Sequence, residues 1–231
     1  MRIEGVQAVS LVDYPGTICS TVFLGGCNFR CPFCHNVELV LKPGGKEVWA
    51  SDKIVSFMER RRRLVPAVCV SGGEPTLEPA LPGFLRRLKT AGFKVKLDTN
   101  GSRPKLLQSI LRAGLVDYVA MDIKAPAAKY SLLTGGPVNL EAIAASVDII
   151  RAEAPAYEFR TTLVPGLLDE EDLVSIGKEL AGVEKYVLQQ FRPSKPLLEP
   201  ELEDVHPYPL EVLEHAAERI RVWISDVTVR G

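Results

Sequence analysis

Three cysteines, Cys27, Cys31 and Cys34, lie within eight residues and are spaced C-x-x-x-C-x-x-C. They directly follow the apolar and β-branched run at residues 18–23. Thiolates on so short a loop can hold three corners of an iron–sulfur cube, whereas a cluster ligated fully by protein takes four cysteines. An iron without a protein ligand can bind a small molecule, as a catalytic metal does at its open position. The spacing therefore favours an open cluster.

Two other interpretations of these cysteines stay open. A structural zinc site needs four ligands, and His35 is the available fourth, but its side chain diverges from that of the adjacent Cys34 and no second C-x-x-C follows. A disulfide is disfavoured because the five cysteines are an odd number and the chain shows no secretory context. Cys19 and Cys69 lie in apolar runs, which predicts that they are buried small hydrophobic residues.

Composition excludes several classes of protein. The chain has 231 residues, of which 46% are hydrophobic and 25% are charged, as in an ordinary globular protein of one or two domains. A net charge of −1 disfavours a nucleic-acid partner. No apolar stretch is long enough to span a membrane, and the N-terminus lacks the apolar core of a signal peptide. We therefore expect a cytoplasmic protein without a membrane partner.

Strand and helix patterns alternate along the chain, which predicts an α/β fold with a parallel sheet. Six strands are too few for a closed eight-stranded barrel, so the prediction is an open partial barrel or a doubly wound sheet. A flexible connection is expected at residues 42–46, an extended loop at 193–209 and a final strand at 222–229. The strands are predicted at residues 17–25, 67–71, 94–98, 117–124, 158–164 and 186–191, and the helices at 51–63, 81–91, 104–113, 140–152, 170–180 and 210–220.

Glycine-rich or polar residues follow each predicted strand, where parallel folds collect their functional groups. Gly72 and Gly73 permit close approach of the backbone, and carbonyl groups there can accept hydrogen bonds from an ammonium group. Asp98 and Thr99 begin a turn, and their oxygens could also bind a ribose or a hard cation. The alternative for both segments is an ordinary turn.

Two basic residues are further candidates for ligand contacts. Asp122 and Lys124 are two residues apart and share one face of a strand, where they form either a buried ion pair or a site in which Lys124 meets an anionic group of a ligand. Arg160 lies in a β-rich run and needs an anion or an acceptor if it faces inward. His206 and His215 are expected to be surface or core residues.

Taken together, these residues resemble the radical S-adenosylmethionine (radical SAM) superfamily. The similarity is greatest to the activating enzymes of glycyl radical enzymes, of the type that acts on anaerobic ribonucleoside-triphosphate reductase, and it extends to pyruvate formate-lyase activases. It spans about residues 10–192. The motifs that carry it are the Asp-Tyr-Pro-Gly turn at 13–16, the cysteine loop with its His-Asn at 35–36, Ser-Gly-Gly-Glu-Pro at 71–75, Asp-Thr-Asn-Gly at 98–101, Met-Asp-Ile-Lys at 121–124, and Arg160 with Val-Pro-Gly at 164–166.

The resemblance implies a fold, cofactors and site residues. The fold is an incomplete (βα)₆ TIM-type barrel formed by a single radical SAM domain at 1–231, with its core at about 10–192 and a C-terminal extension at 193–231. The cofactors are a [4Fe–4S] cluster held by the three cysteines, S-adenosylmethionine and, in some members, a monovalent cation. The implied residues are Gly72, Gly73 and Glu74 at the methionine amino group, Asn36, Lys124, Arg160 and Thr162 near the cofactor, Asp98, Thr99 and Asp122 with the Ala120 carbonyl at the cation, and Asp13 at the partner.

The same resemblance implies the function. One electron from the reduced cluster, delivered by a donor such as flavodoxin or ferredoxin, cleaves S-adenosylmethionine, and the adenosyl radical removes hydrogen from a glycine of a partner enzyme. One departure leaves the adenosyl contacts unassigned, because residues 189–192 read Gln-Gln-Phe-Arg where the pyruvate formate-lyase type has a histidine. The alternatives are a radical SAM enzyme acting on a small molecule and a zinc-binding protein without catalysis.

Overall fold

The structure is a computed structural model that describes residues 1, 3–41 and 50–231. The connection predicted at residues 42–46 lies outside the described residues. The chain divides into two compact units. The first comprises Met1–Asn28, Glu38–Ala120 and Glu141–Ala156, and the second comprises Phe29–Val37, Met121–Leu140 and Tyr157–Gly231.

The strands found in the described residues are short, and those from β2 to β7 are buried over half or more of their length. Their bounds are β1 Ile3–Ser10, β2 Cys19–Leu24, β3 Ala67–Gly72, β4 Lys94–Thr99, β5 Tyr118–Asp122, β6 Tyr157–Leu163, β7 Lys185–Gln190 and β8 Asp226–Arg230. The α-helices of the same residues are α1 Val37–Leu41, α2 Ser51–Glu59, α3 Leu81–Thr90, α4 Pro104–Arg112, α5 Tyr130–Leu133, α6 Leu140–Glu153, α7 Glu170–Glu179 and α8 Leu210–Ile220.

In the first unit, β2, β3 and β4 are parallel neighbours, and β1 pairs antiparallel with β2. The register places Thr21 beside Cys69, and Cys69 beside Lys96. β3 has four consecutive fully buried residues at its start, as expected for a parallel strand covered on both faces. Helices α3 and α4 each begin with a proline in the first turn, where the missing N–H is tolerated.

In the second unit, β6, β7 and β8 are parallel neighbours. Helix α7, which connects β6 to β7, begins with a capping box in which Asp169 and Asp172 each accept a hydrogen bond from the other's backbone N–H. Glu158 on β6 is 1% exposed and forms a two-point ion pair with Arg230 at the end of β8. That pair links the first and last strands of this unit across β7.

The predicted fold class, an α/β protein with a mostly parallel sheet, is confirmed. The six predicted strands correspond to β2 to β7, and the final strand predicted at 222–229 overlaps β8, which runs from 226 to 230. Strand β1 and the short helices α1 and α5 were not predicted, and α2 ends at Glu59 rather than near residue 63. Within the described residues, no helix is long and apolar enough to cross a membrane.

Candidate active site

The first part of the cysteine loop belongs to the first unit and is held by the backbone. After β2, the N–H of Gly26 donates to the carbonyl oxygen of Leu39 at 2.7 Å, and the carbonyl oxygen of Gly26 accepts from the N–H of Glu74 at 2.8 Å. The side-chain amide of Asn100 donates to the Cys27 sulfur at 3.9 Å and to the Asn28 side-chain oxygen at 3.0 Å. Residues after β3 and β4 therefore position Cys27.

Gly72 and Gly73 are required by the close approach of this turn to the cysteine loop. Gly72 has a φ of +121°, a backbone conformation that residues with a Cβ atom rarely adopt. A Cβ atom at Gly73 would lie 2.0 Å from the carbonyl oxygen of Gly26, which is far inside van der Waals contact. The Gly-Gly pair is thus explained by its packing against β2 and the start of the loop.

Glu74 is buried, with 1% of its surface exposed, and its carboxylate joins the ends of β3 and β4. One oxygen accepts from the backbone N–H and the hydroxyl of Thr76 and, at 2.8 Å, from the hydroxyl of Thr99. The other accepts from the backbone N–H of Asn100 at 2.6 Å. Burial raises the pKa of Glu74, and these donated hydrogen bonds oppose that rise. The side chain of Glu74 is therefore a structural link in the first unit.

Asp98, which the sequence assigned to a cation or a ribose, is engaged by two side chains of the first unit. One carboxylate oxygen forms an ion pair with Lys96, and the other accepts a hydrogen bond from the hydroxyl of Ser71 at 2.9 Å. The Thr99 hydroxyl donates to Glu74 and accepts from the N–H of Gly101 at 3.1 Å. Lys96 was not among the residues predicted for the site.

The second part of the cysteine loop belongs to the second unit, where the C-terminal segment holds it. The N–H of Cys34 donates to the carbonyl oxygen of Cys31 at 3.0 Å and closes a tight turn. The N–H of Leu198 donates to the Cys34 carbonyl oxygen at 3.0 Å, and that of Glu199 donates to the Pro32 carbonyl oxygen at 2.9 Å. The extension at 193–231, whose role the sequence did not indicate, thus supports the loop.

Hydrophobic contacts strengthen this support. Phe33 packs against an apolar cluster in which residues that follow β6 and β7 meet the extension. The buried members of that cluster are Val164, Phe191, Leu197 and Leu202.

Asp122, Lys124 and Arg160 form one charged cluster in the second unit. The Asp122 carboxylate contacts the Lys124 ammonium at 2.9 Å through one oxygen and the Arg160 Nε at 2.8 Å through the other. Burial would raise the pKa of Asp122, but the two cations outweigh it and hold the pKa well below its usual range. The three groups carry a net charge of about +1 at neutral pH because all remain ionised. Such a cluster can attract an anionic ligand group such as a carboxylate.

The remaining predicted residues have simpler surroundings. Asp13 accepts a hydrogen bond from the Thr21 hydroxyl at 2.5 Å within the first unit. Asn36 and Thr162 are half-buried in the second unit. Cys19 and Cys69 are buried, as predicted. Arg192, the last residue of the Gln-Gln-Phe-Arg segment, donates to the carbonyl oxygen of Gly231.

Sequence reasoning missed Lys96, the Asn100 side chain and the loop-supporting role of the extension. A lysine on a strand usually indicates an exposed face, and the available signal was the acidic residue two positions later, on the same face. Asn100 was interpreted only as a turn residue. The extension carried no motif, because its bonds to the cysteine loop use the backbone.

The donor set fits an iron–sulfur cluster better than a single metal ion. None of the three loop cysteines is in a disulfide, and Cys27 and Cys34 are partly exposed. Among the described residues, no three His, Cys, Asp or Glu side chains are grouped as ligands of one ion. A cubane cluster binds each cysteine through a different iron, so its ligands need not converge on one atom.

The sequence matches the Radical SAM superfamily over residues 21–175. A protein of Methanocaldococcus jannaschii, named as a candidate glycyl-radical enzyme activating enzyme, is 33% identical over 99% of this chain and 95% of its own length. The pyruvate formate-lyase-activating enzyme of Clostridium pasteurianum is 32% identical over 82% of each chain. A radical SAM methyltransferase from Sphaerobacter thermophilus has a TM-score of 0.71 at 20% identity, over 94% of this chain and 67% of its own.

The match covers most of the chain and defines the class of protein, an enzyme that uses a [4Fe–4S] cluster and S-adenosylmethionine. The chain belongs to the Radical SAM superfamily and, within it, to the activating enzymes of glycyl radical enzymes.

Proposed function

We propose that this protein cleaves S-adenosylmethionine reductively and generates a glycyl radical on a partner enzyme. Three cysteines on one loop, none of them in a disulfide, carry the proposal, because they match the open cluster that this chemistry needs. Relatives named as activating enzymes support the choice of a protein glycine as the target.

Each part of the site has a proposed task. Cys27, Cys31 and Cys34 hold a [4Fe–4S] cluster, which supplies the electron for cleavage when bound. The backbone of Gly72, Gly73 and Glu74 accepts hydrogen bonds from the methionine amino group. Support comes from the close approach of this turn to Gly26, which directly precedes Cys27 in the cysteine loop.

The cations of the second unit have a matching task. Lys124 and Arg160 attract the methionine carboxylate, and Asn36 and Thr162 contact the cofactor. The grouping of two cations at the single Asp122 carboxylate supports this assignment, because charged donors form the stronger hydrogen bonds to a carboxylate. Asp13 is proposed to contact the partner enzyme.

The proposed partner is anaerobic ribonucleotide reductase, and the second candidate is pyruvate formate-lyase. The motifs described above favour the first, whereas the 32% identity to an activating enzyme from Clostridium pasteurianum favours the second. The electron donor is proposed to be flavodoxin or ferredoxin, in the cytoplasm. We propose that residues 1–231 form a single radical SAM domain with a core at 10–192 and an extension at 193–231.

The test is anaerobic reconstitution with iron and sulfide, followed by electron paramagnetic resonance with S-adenosylmethionine, a reductant and each candidate partner. We expect a glycyl doublet with one of the two partners. Changing Cys34 to alanine should abolish both the cluster absorbance and the doublet. The matched control is Cys19→Ala. Cys19 is buried in β2, outside the cysteine loop, so this substitution should leave both signals intact.

Three results would contradict the proposal. They are a cluster ligated by four protein side chains, a bound zinc ion in place of iron, and turnover of a small molecule with no doublet on either partner.

A further inference from the structure

Lys96 is a lysine buried inside the first unit. It lies on β4, and only 1% of its surface is exposed. Lysine is almost never buried to this degree unless its charge is paired, because moving an ammonium group out of water is costly. The partner here is Asp98, two residues further along the same strand and on the same face.

Lys96 has two polar neighbours besides its partner Asp98 in the register of the sheet. The ammonium group lies 3.8 Å from the Cys69 sulfur, which is its neighbour across the sheet in the register of β3 and β4. Thr21 is the next residue in the same row, and its hydroxyl donates to the carboxylate of Asp13. This layer of the first unit therefore contains two carboxylates, Asp13 and Asp98, and Lys96 supplies positive charge beside Asp98.

The position of the ammonium group matters because Asp98 begins the turn whose Asn100 side chain contacts the cysteine loop. Asp98 is followed directly by Thr99 and Asn100, which bind the Glu74 carboxylate, and the Asn100 side chain reaches Cys27. A contact that fixes the position of Asp98 also restrains the backbone of these two residues, because they follow it directly. Charge balance at Asp98 thus affects the position of one cysteine through contacts within the first unit.

A lysine ammonium group carries the same single charge as an alkali cation, with three N–H donors in place of a coordination shell. It is also bound covalently to the strand, so no ion has to be captured from solution. In this chain, Lys96 already contacts the carboxylate to which the family resemblance assigned a monovalent cation.

We propose that Lys96 is a positioning residue that replaces a bound monovalent cation at Asp98. The protein is then independent of potassium and sodium ions at this position. The proposal concerns charge balance in the first unit, and its test does not depend on the glycyl radical function, so the two can fail separately.

The experiment measures the thermal stability of the full-length, reconstituted protein in potassium, sodium or choline chloride at equal ionic strength. We expect the melting temperature of the wild type to be the same in the three salts. Changing Lys96 to alanine should lower it by roughly 10 °C in choline chloride, because the Asp98 carboxylate is left without its cation. Potassium or sodium should restore part of the loss with saturation, since the space left by the side chain can admit an ion.

Two control variants separate charge from structure. Lys96→Met keeps the length of the side chain and leaves no space for an ion, so its loss of stability should not be restored by either cation. Lys94→Ala changes an exposed lysine on the same strand and should behave as the wild type in every salt.

The inference is overturned if potassium or sodium stabilises the wild type with saturation, or if Lys96→Ala responds equally to all three salts. Should Lys96→Ala fail to fold in every salt, the wild-type measurement decides by itself. Insensitivity to the cation supports the proposal, and saturable stabilisation refutes it.

Discussion

Replacing Glu74 by glutamine should destabilise the protein, although the two side chains have the same shape. All the hydrogen bonds described for the Glu74 carboxylate are donated to it, and they use both of its oxygens. A glutamine has one oxygen and one NH₂ group. If its oxygen takes the place that faces Thr76 and Thr99, its NH₂ group faces the N–H of Asn100, and two donors then oppose each other.

The size of the effect follows from these contacts. A buried donor left without an acceptor costs about 1–3 kcal/mol, and the remaining bonds lose the strength that the charge gave them. Burial reduces this loss of stability. It raises the pKa of Glu74 and so disfavours the charged carboxylate that the substitution removes. We expect a net loss of about 2 kcal/mol, which for a chain of this length lowers the melting temperature by about 4–8 °C.

The assay is thermal and urea unfolding, followed by circular dichroism, at neutral pH under anaerobic conditions. Glu59→Gln is the matched control, because Glu59 is exposed at the end of α2 in the same unit. The control should stay within about 0.5 kcal/mol of the wild type. If Glu74→Gln proves as stable as the control, the carboxylate does not hold the ends of β3 and β4 together, and the argument for its structural role is wrong.

Two further predictions concern acid stability and the glycine turn. Because Lys124 and Arg160 hold the pKa of Asp122 below its unfolded value, this carboxylate stabilises the fold above about pH 4, and its contribution should decrease as the pH falls further. Asp122→Asn should remove that part of the acid dependence, measured as the free energy of unfolding in urea at pH 3 and pH 6. An equal change between the two pH values in the variant and the wild type would contradict the argument. Gly73→Ala should lower stability and weaken binding of S-adenosylmethionine, measured by calorimetry, since its Cβ would overlap Gly26. The control is Gly83→Ala, whose Cβ has open space on α3; it should leave binding unchanged and should not lower stability, because alanine is favoured over glycine in a helix.

The parallel strands could be predicted because their burial produces apolar runs that end in polar motifs. β3 is an example, since residues 67–70 are all fully buried and Ser-Gly-Gly-Glu follows them. β1 gave no such signal. Only its terminal residues, Ile3 and Ser10, are fully buried, and irregular register interrupts its pairing with β2. A half-exposed strand of this kind is specified by its neighbour more than by its own sequence.

The site could be predicted where residue type determines the role, as for the cysteines, and less well where the role depends on contacts. Glu74 was predicted as part of an edge that binds the cofactor, but its side chain is used within the fold. Lys96 was missed because its burial depends on Asp98 and on a register that the sequence does not reveal. The backbone groups of Leu198 and Glu199, which hold the cysteine loop, carry no sequence signal at all.

The carboxylates of the two units have different partners, and this difference affects which ligand groups each unit can bind. In the first unit, Glu74 is surrounded by donors and Asp98 is paired with Lys96, so these carboxylates have little electrostatic demand for a soluble cation. In the second unit, one carboxylate, Asp122, contacts two cations, Lys124 and Arg160. A ligand with a carboxylate gains most from the second arrangement, since a charge-assisted hydrogen bond is about twice as strong as a neutral one. Loss of the carboxylate from S-adenosylmethionine should therefore weaken binding more than loss of a neutral group of similar size.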